Sequence, residues 1–123
     1  MANCCVVGTL NIGGGGGTSL TGLSDIMKID IGPWNMDTTN SLFVPDGSPL
    51  ITSSTIRSVE VYIRNDLQTQ LRRLDIVAGP VNGSWNYNGS GFNLIRVTGG
   101  FFDSVDYDDG VINRGYIMVG IKL

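Results

Sequence analysis

The sequence predicts an all-β fold, an antiparallel β-sandwich or jelly roll of about seven or eight strands that follows an N-terminal arm. Short apolar runs alternate with polar residues at a period of two, which is the pattern of half-buried strands. Gly, Asn, Asp, Ser and Pro cluster between these runs, as they do in turns. Of the 11 acidic residues only Glu60 is a glutamate, whereas helical surfaces normally use Glu. The composition therefore favours strands joined by tight turns.

Residues 1–25 are predicted to be the arm, and residues 26–123 the sandwich domain. A chain of 123 residues is long enough for one domain and an arm, but not for two ordinary domains. The arm begins with a β-prone anchoring run suited to adding a strand to a partner surface, formed by Cys4, Cys5, Val6 and Val7. A flexible linker of five glycines follows: Gly13, Gly14, Gly15, Gly16 and Gly17. A disordered terminus with a chance apolar patch is the alternative interpretation.

Three strands are predicted in the first half of the domain. Residues 26–32 place three apolar side chains on one face and two charged side chains on the other. Residues 41–44 form a short second strand, which ends at a segment rich in Pro and Gly. Residues 56–65 alternate most regularly, so we expect one face of the third strand to be buried and the other to be wet.

Four further strands are predicted in the second half. Residues 70–77 follow a short link and are expected to form a hairpin with the third strand. Two Asn-Gly pairs, at Asn82 and Asn88, flank residues 84–87 and predict a strand between two tight turns. The last two predicted strands are residues 91–97 and 114–123. In the final strand four residues are expected to share one face: Ile117, Val119, Ile121 and Leu123.

The charge and the cysteines restrict the possible partners and the compartment. The net charge is −3 and the Arg residues are scattered, so no nucleic-acid partner is expected. No stretch approaches the roughly 20 apolar residues of a membrane span, and residues 1–12 lack the features of a signal peptide. Cys4 and Cys5 are adjacent and are the only cysteines, which excludes a disulfide framework within one chain. We therefore expect synthesis in a reducing cytoplasm and no membrane insertion.

The residue inventory argues against an enzyme. The chain contains no His, which removes the usual general base and the commonest metal ligand. Ser-His-Asp and Cys-His arrangements therefore cannot be built. A hydrolase would have to use Asp residues alone, and no motif supports one.

A dense acidic cluster near the C-terminus is a candidate calcium site. Calcium is a hard cation that takes carboxylate and backbone oxygens. The candidate ligands are Asp103, Asp106, Asp108 and Asp109. Their spacing differs from the EF-hand pattern, and Asp in loops often caps its own backbone, so a structural role is the alternative. No other cofactor is expected.

Two aromatic residues are candidates for carbohydrate binding. Trp85 and Tyr87 could stack on sugar rings, with Asn and Asp nearby as hydrogen-bond partners. The alternative is that the Trp residues belong to the core or to a subunit interface. The triplet Asn-Gly-Ser at Asn82 and at Asn88 matches a glycosylation acceptor, but without a secretion signal the hairpin-turn interpretation is favoured.

Three ordered segments carry a family resemblance: IDIGPWNMDTT (29–39), IRSVEVYIRND (56–66) and GGFFDSVDYDDGVINRGYIMV (99–119). The chain resembles a small domain of bacteriophage virion structural proteins, notably in phages of Bacteroidetes hosts. The resemblance covers most of residues 26–123 and none of the glycine linker. Pro33 departs from the family pattern, which has an acidic or small polar residue there. No catalytic residue is implied.

The resemblance implies a β-rich virion component, such as a capsid spike, head fibre, decoration protein or tail-fibre tip. We therefore expect a non-enzymatic protein, assembled into the virion in the host cytoplasm, whose arm contacts other virion proteins and whose domain meets a host-surface glycan. A homotrimer is expected, because a small sandwich gains by packing against copies of itself. Its candidate interface residues are Phe101, Phe102, Trp34 and Ile112. The alternatives are a free-standing lectin-like carbohydrate-binding module and an enzyme acting on surface polysaccharide.

Overall fold

A computed structural model describes residues 25–75 and 82–123 of the chain. These residues form seven strands: β1 (Asp25–Asp30), β2 (Ser41–Pro45), β3 (Ile56–Arg64), β4 (Leu71–Arg73), β5 (Gly83–Tyr87), β6 (Gly91–Arg96) and β7 (Gly115–Ile121). A 3-10 turn, Val105–Tyr107, lies in the long connection between β6 and β7. The predicted all-β sandwich is confirmed.

The strands form two antiparallel sheets. The four-stranded sheet has the order β1-β7-β3-β4, and the three-stranded sheet has the order β2-β6-β5. The central strand β7 pairs Ile117 with Ile29 of β1 on one side and with Val61 of β3 on the other. The first residue of this strand is Gly115. A larger residue does not fit there, because its Cβ would collide with the carbonyl oxygen of Tyr62.

The connections between strands gather at the two ends of the sandwich. We call one of them the loop end, and it consists of residues 31–40, 65–70 and 97–114. We call the other the arm end, and it consists of Asp25 at the start of β1, residues 46–55, residues 88–90 and residues 122–123. At the arm end, Lys122 N donates to Thr55 O and Asp46 N donates to Ser90 O, so both sheets contribute to it.

The core lies between the two sheets and beneath the loop end. Alternate residues of the strands point inward, as the period of two predicts. Loops supply Trp34, Met36, Phe102 and Tyr107, and the 3-10 turn buries the last of these. The buried hydrophobic residues are Ile31, Trp34, Met36, Val44, Ile51, Val61, Ile63, Leu74, Phe92, Leu94, Phe102, Tyr107, Ile117, Val119 and Ile121.

The outer face of the four-stranded sheet is covered by a row of charged and aromatic side chains. Tyr62 and Tyr116 stack with their ring centroids 5.2 Å apart. Lys28 lies over the Tyr116 ring and Arg73 lies over the Tyr62 ring. The Tyr62 hydroxyl donates to Glu60, and this hydrogen bond raises the pKa of the phenol. The row ties together four strands on a face that is exposed to water.

The outer face of the three-stranded sheet is different. Its strands contain a single charged residue, Arg96, which points inward and is buried. Phe43 and Ile95 are on the outer side and remain 44% and 38% exposed. Asn93 donates to Asn86 beside them. This surface, which we call the uncharged face, consists mainly of apolar and amide side chains.

All seven predicted strands are present among the described residues, with differences in three of them. The fourth strand is only three residues long, and residues 76–77 of its predicted range lie outside the described residues. Gly83 is not in a tight turn but pairs with Arg96 at the start of β5. Leu123 does not share the buried face of β7, because the strand ends at Ile121 and Leu123 is exposed.

Two of the proposed interface residues are core residues. Trp34 and Phe102 are buried within this chain, so they cannot form a contact between copies. Phe102 meets the Tyr107 ring edge-on, and the Trp34 indole donates to Thr39 O at 2.9 Å. Of the four, Phe101 and Ile112 retain some exposure.

Candidate functional site

The loop end is organised by two buried arginines, one next to the four-stranded sheet and one in the three-stranded sheet. Arg114, just before β7, is fully buried and donates from Nε to Trp34 O at 3.0 Å and from Nη1 to Arg64 O at 2.8 Å. Its Nη2 donates to Asp109 O and lies 3.0 Å from the Asp66 carboxylate. The guanidinium thus binds three loops at once, and its charge is compensated by a carboxylate.

Arg96, at the end of β6, plays a similar part from the other sheet. Its Nε donates to Met36 O and its Nη2 donates to Asp37 O. Its Nη1 lies 3.3 Å from Asp103 and also contacts the Thr98 hydroxyl. Both arginines therefore bind carbonyl groups of the same segment, residues 34–37, so this loop is fixed to both sheets.

The segment between β1 and β2 is also fixed by its own hydrogen bonds. The Asn35 side chain accepts from the N–H groups of Asp37 and Thr38, which is the turn chemistry that Asn favours. Met36 N donates to Tyr107 O in the neighbouring loop. The loop end is therefore a set of connections with defined positions.

Three segments that are far apart in the sequence, residues 29–39, 56–66 and 99–119, meet at Arg114. Trp34 belongs to the first segment, Asp66 to the second, and Asp109 to the third, which also contains Arg114 itself. These residues hold the loops of the loop end in place. They do so by hydrogen bonds and by charge compensation within the chain.

Asp66 is the acidic centre of this network. Its carboxylate accepts from the N–H groups of Asp108 and Asp109, each at 3.1 Å, and pairs with Arg114. Burial acts to raise the pKa of Asp66, but the hydrogen bond from Asp109 and the contact with Arg114 outweigh it, so that pKa is lowered. The pKa of Asp108 is raised, first because its side chain shares a hydrogen bond with Asp66.

The four predicted calcium ligands have different surroundings and do not share one site. Asp103 accepts from Gly99 N and pairs with Arg96, whereas Asp109 accepts from Val111 N. Asp106 and Asp108 are exposed. In residues 25–75 and 82–123, no three acidic side chains come together in a group that could hold a metal ion. Calcium binding stays a prediction from the sequence.

Trp85 and Tyr87, the predicted carbohydrate-binding residues, are half-buried on the inner side of β5. Both rings pack against Phe92, with centroids 6.1 and 5.0 Å away. The Tyr87 hydroxyl donates to Asp46 at 2.8 Å and contacts Ile51 O at 3.0 Å. Burial, followed by this bond to Asp46, raises the pKa of Tyr87. The structure gives both rings packing partners, and carbohydrate binding stays a prediction.

The predicted anchoring residues Cys4, Cys5, Val6 and Val7 lie outside the described residues, as do the linker glycines Gly13, Gly14, Gly15, Gly16 and Gly17.

The surface of the loop end combines exposed apolar side chains with carboxylates. Leu67, Val105 and Val111 are 81%, 70% and 83% exposed. Asp66 N donates to Asp106 O, so the loop that contains Leu67 contacts the loop that contains Val105. These three aliphatic side chains are exposed on loops whose positions are fixed by hydrogen bonds to the rest of the domain.

Neither arginine was predicted from the sequence to have a functional or structural role. One signal was available for Arg96, because it alternates in phase with Phe92 and Leu94, which are core residues. For Arg114 the pattern is weaker, since it directly precedes β7 and its partners come from loops distant in sequence.

Comparisons with protein-family models, with curated proteins and with solved structures found no match. Among the described residues, no helix has the length and apolar character needed to cross a membrane.

Proposed function

We propose that this chain is a non-enzymatic structural protein of a bacteriophage virion. In this proposal the N-terminal arm attaches the chain to other virion proteins, and the β-sandwich is displayed on the particle as part of a spike, fibre, decoration protein or tail-fibre tip. The family resemblance suggests that the chain belongs to a phage particle. The positions of the two ends of the sandwich support an orientation in which the loop end faces outward.

The observation that carries the proposal is the separation of the two ends. The chain enters the sandwich at Asp25, where β1 pairs with the last residues of β7. Residues 1–24 therefore connect to the arm end. The loop end lies at the other end of both sheets, because β1 and β3 run from the arm end toward residues 31–40 and 65–70. A domain held by its arm thus presents the loop end outward.

The loop end has properties that suit an outward contact surface. The buried pairs Arg114–Asp66 and Arg96–Asp103 hold its loops, so binding would not have to order them. Its exposed aliphatic residues, among them Leu67 and Val111, offer apolar area for contact. In this proposal the loop end meets the host surface, and weak single contacts are strengthened by the many copies on a particle.

The proposal includes self-association of the chain through the uncharged face. Copies with a net charge of −3 repel one another, and this repulsion is smallest where a face carries no charge. Phe43 and Ile95 supply apolar area on that face. The expected assembly is a homotrimer, and light scattering of the full chain measures its mass.

A matched pair of variants tests which surface is used. The double variant Phe43→Ser/Ile95→Ser should shift the mass to one chain, whereas Leu67→Ser, on the loop end, should leave the assembly intact. A wild-type mass of one chain contradicts self-association, and dissociation by Leu67→Ser alone assigns it to the loop end instead.

The experiment that tests the function is protein mass spectrometry of purified particles from the phage whose genome encodes the chain. We expect the chain as a stoichiometric component that resists washing. Labelling electron microscopy with an antibody raised against the loop end should then mark the particle surface. Absence of the chain from the particles would contradict the proposal.

A further inference from the structure

The sequence contains the triplet Asn-Gly-Ser twice, and the structure places the two copies in opposite environments. Asn82 is buried, and its side-chain oxygen accepts from Phe101 N at 2.8 Å. Asn88 is exposed, together with Gly89 and Ser90, in the turn between β5 and β6. We propose that Asn88 is a site of spontaneous deamidation and that Asn82 is protected from it.

The geometry at Asn88 favours attack on its side chain by the following backbone nitrogen. The Asn88 side-chain oxygen accepts from Ser90 N at 2.9 Å and from Gly91 N at 3.2 Å, so the side chain is turned toward the residues that follow it in the chain. The two N–H groups also polarise the carbonyl and stabilise negative charge that develops on its oxygen. Gly89 has a φ of +96° and carries no side chain to shield its nitrogen.

The nucleophile and the leaving group are both free at this site. Within residues 25–75 and 82–123, neither the Gly89 N–H nor the Asn88 side-chain NH₂ donates a hydrogen bond. Gly89 N forms a bond to the Asn88 Cγ and passes its proton to water, and the side-chain nitrogen leaves as ammonia. The cyclic imide is then opened by one water molecule. The net reaction consumes water and Asn and produces ammonia and either aspartate or isoaspartate.

The product changes the arm end of the domain. Each event adds one carboxylate next to Asp46, whose N–H donates to Ser90 O. The isoaspartyl form also lengthens the main chain inside the turn that sets the pairing of β5 with β6. Because β5 is an edge strand, this turn is one of its few attachments.

The two triplets are matched controls within one molecule. The full-length protein is incubated at mildly alkaline pH, and peptide mapping by mass spectrometry follows aspartate and isoaspartate at both positions. In denaturant the two sites should react at rates within about a factor of three, because both are Asn-Gly-Ser triplets and no fold protects either. In the native protein Asn88 should react at least about tenfold faster than Asn82, which must wait for local opening.

Two outcomes would overturn the proposal. One is equal native rates at the two sites. The other is a native rate at Asn88 that falls as far below its denatured rate as that of Asn82 does, since this would mean that the turn protects the amide. The measurement needs no substitution, so it does not depend on a variant that folds.

Discussion

The two buried arginines hold the same loop but differ in how completely they are enclosed. Arg114 has no exposed side-chain surface, and three backbone carbonyls and Asp66 surround it. The Arg96 side chain is 6% exposed, and one of its four contacts is a threonine hydroxyl. Removing Arg114 would therefore leave more polar groups without a partner than removing Arg96 would.

This difference shows where the loop end derives its stability. Breaking a buried ion pair from one side is costly mainly because the remaining groups stay buried and unpaired. The partners of Arg114 come from three separate loops, whereas those of Arg96 come from residues 36–37 and its own neighbourhood. We infer that Arg114 contributes more than Arg96 to the stability of the loop end.

The largest expected effect is that of Arg114→Met. It leaves Asp66 and the carbonyls of Trp34 and Arg64 without their donor, so the free energy of unfolding should fall by about 3–5 kcal/mol. Urea unfolding followed by tryptophan fluorescence measures it. Arg57→Met is the matched control, because Arg57 is exposed and its loss should change stability by less than about 0.5 kcal/mol. Equal effects of the two substitutions would contradict the role of Arg114.

A smaller effect is expected for Arg96→Met. Its hydrogen bonds to Met36 O and Asp37 O are lost, and the free energy of unfolding should fall by about 1.5–3 kcal/mol. The same urea titration provides the value. If Arg96→Met lowered the free energy of unfolding more than Arg114→Met does, the inferred order of the two arginines would be wrong.

The smallest expected effect concerns pH. The pKa of Asp66 is lower in the folded chain than in the unfolded chain, so its contribution to stability is present above the ordinary Asp pKa and is lost as the pH falls through the folded-state pKa. The raised pKa of Asp108 acts in the opposite direction, because its contribution is present at low pH and is lost as the pH rises through the folded-state pKa. We expect the contribution of Asp66 to dominate, since its partner Arg114 is fully buried.

Asp66→Asn removes the contribution of Asp66 and the part of the Asp108 pKa shift that is caused by the Asp66 carboxylate. Stability should then fall less steeply between neutral and strongly acidic pH than in the wild type, although it is lower at neutral pH. Thermal unfolding across that range, with Asp25→Asn as a surface control, measures the difference. An unchanged slope would show that Asp66 is not the titrating group.

The strands were predictable because their signal is local. The alternation in residues 56–64 and 115–121 reflects one buried and one wet face, which a period of two reveals directly. The predicted tight turn at Asn82 is wrong, because Asn-Gly forms a turn only where neither residue is needed for strand pairing. Here Gly83 continues the ladder opposite Arg96, and Leu74 packs where its side chain would be.

The network at the loop end was not predictable from local pattern. Arg114 and Trp34 are 80 residues apart in sequence, and the bond between them depends on the completed sandwich. The acidic cluster suggested a metal site, but Asp103 and Asp109 accept hydrogen bonds from nearby backbone N–H groups, the alternative that the sequence left open. The phase of Arg96 with Phe92 and Leu94 indicates burial, but no local pattern identifies the partners of either arginine.

The proposed function requires that the sandwich folds without residues 1–24 and that its attachment to the particle needs them. The most direct test compares the full chain with a variant that lacks residues 1–24, measuring both Tm and incorporation into virions. We predict an unchanged Tm and a loss of incorporation. A variant that unfolds, or one that is incorporated as well as the full chain, would contradict the claim.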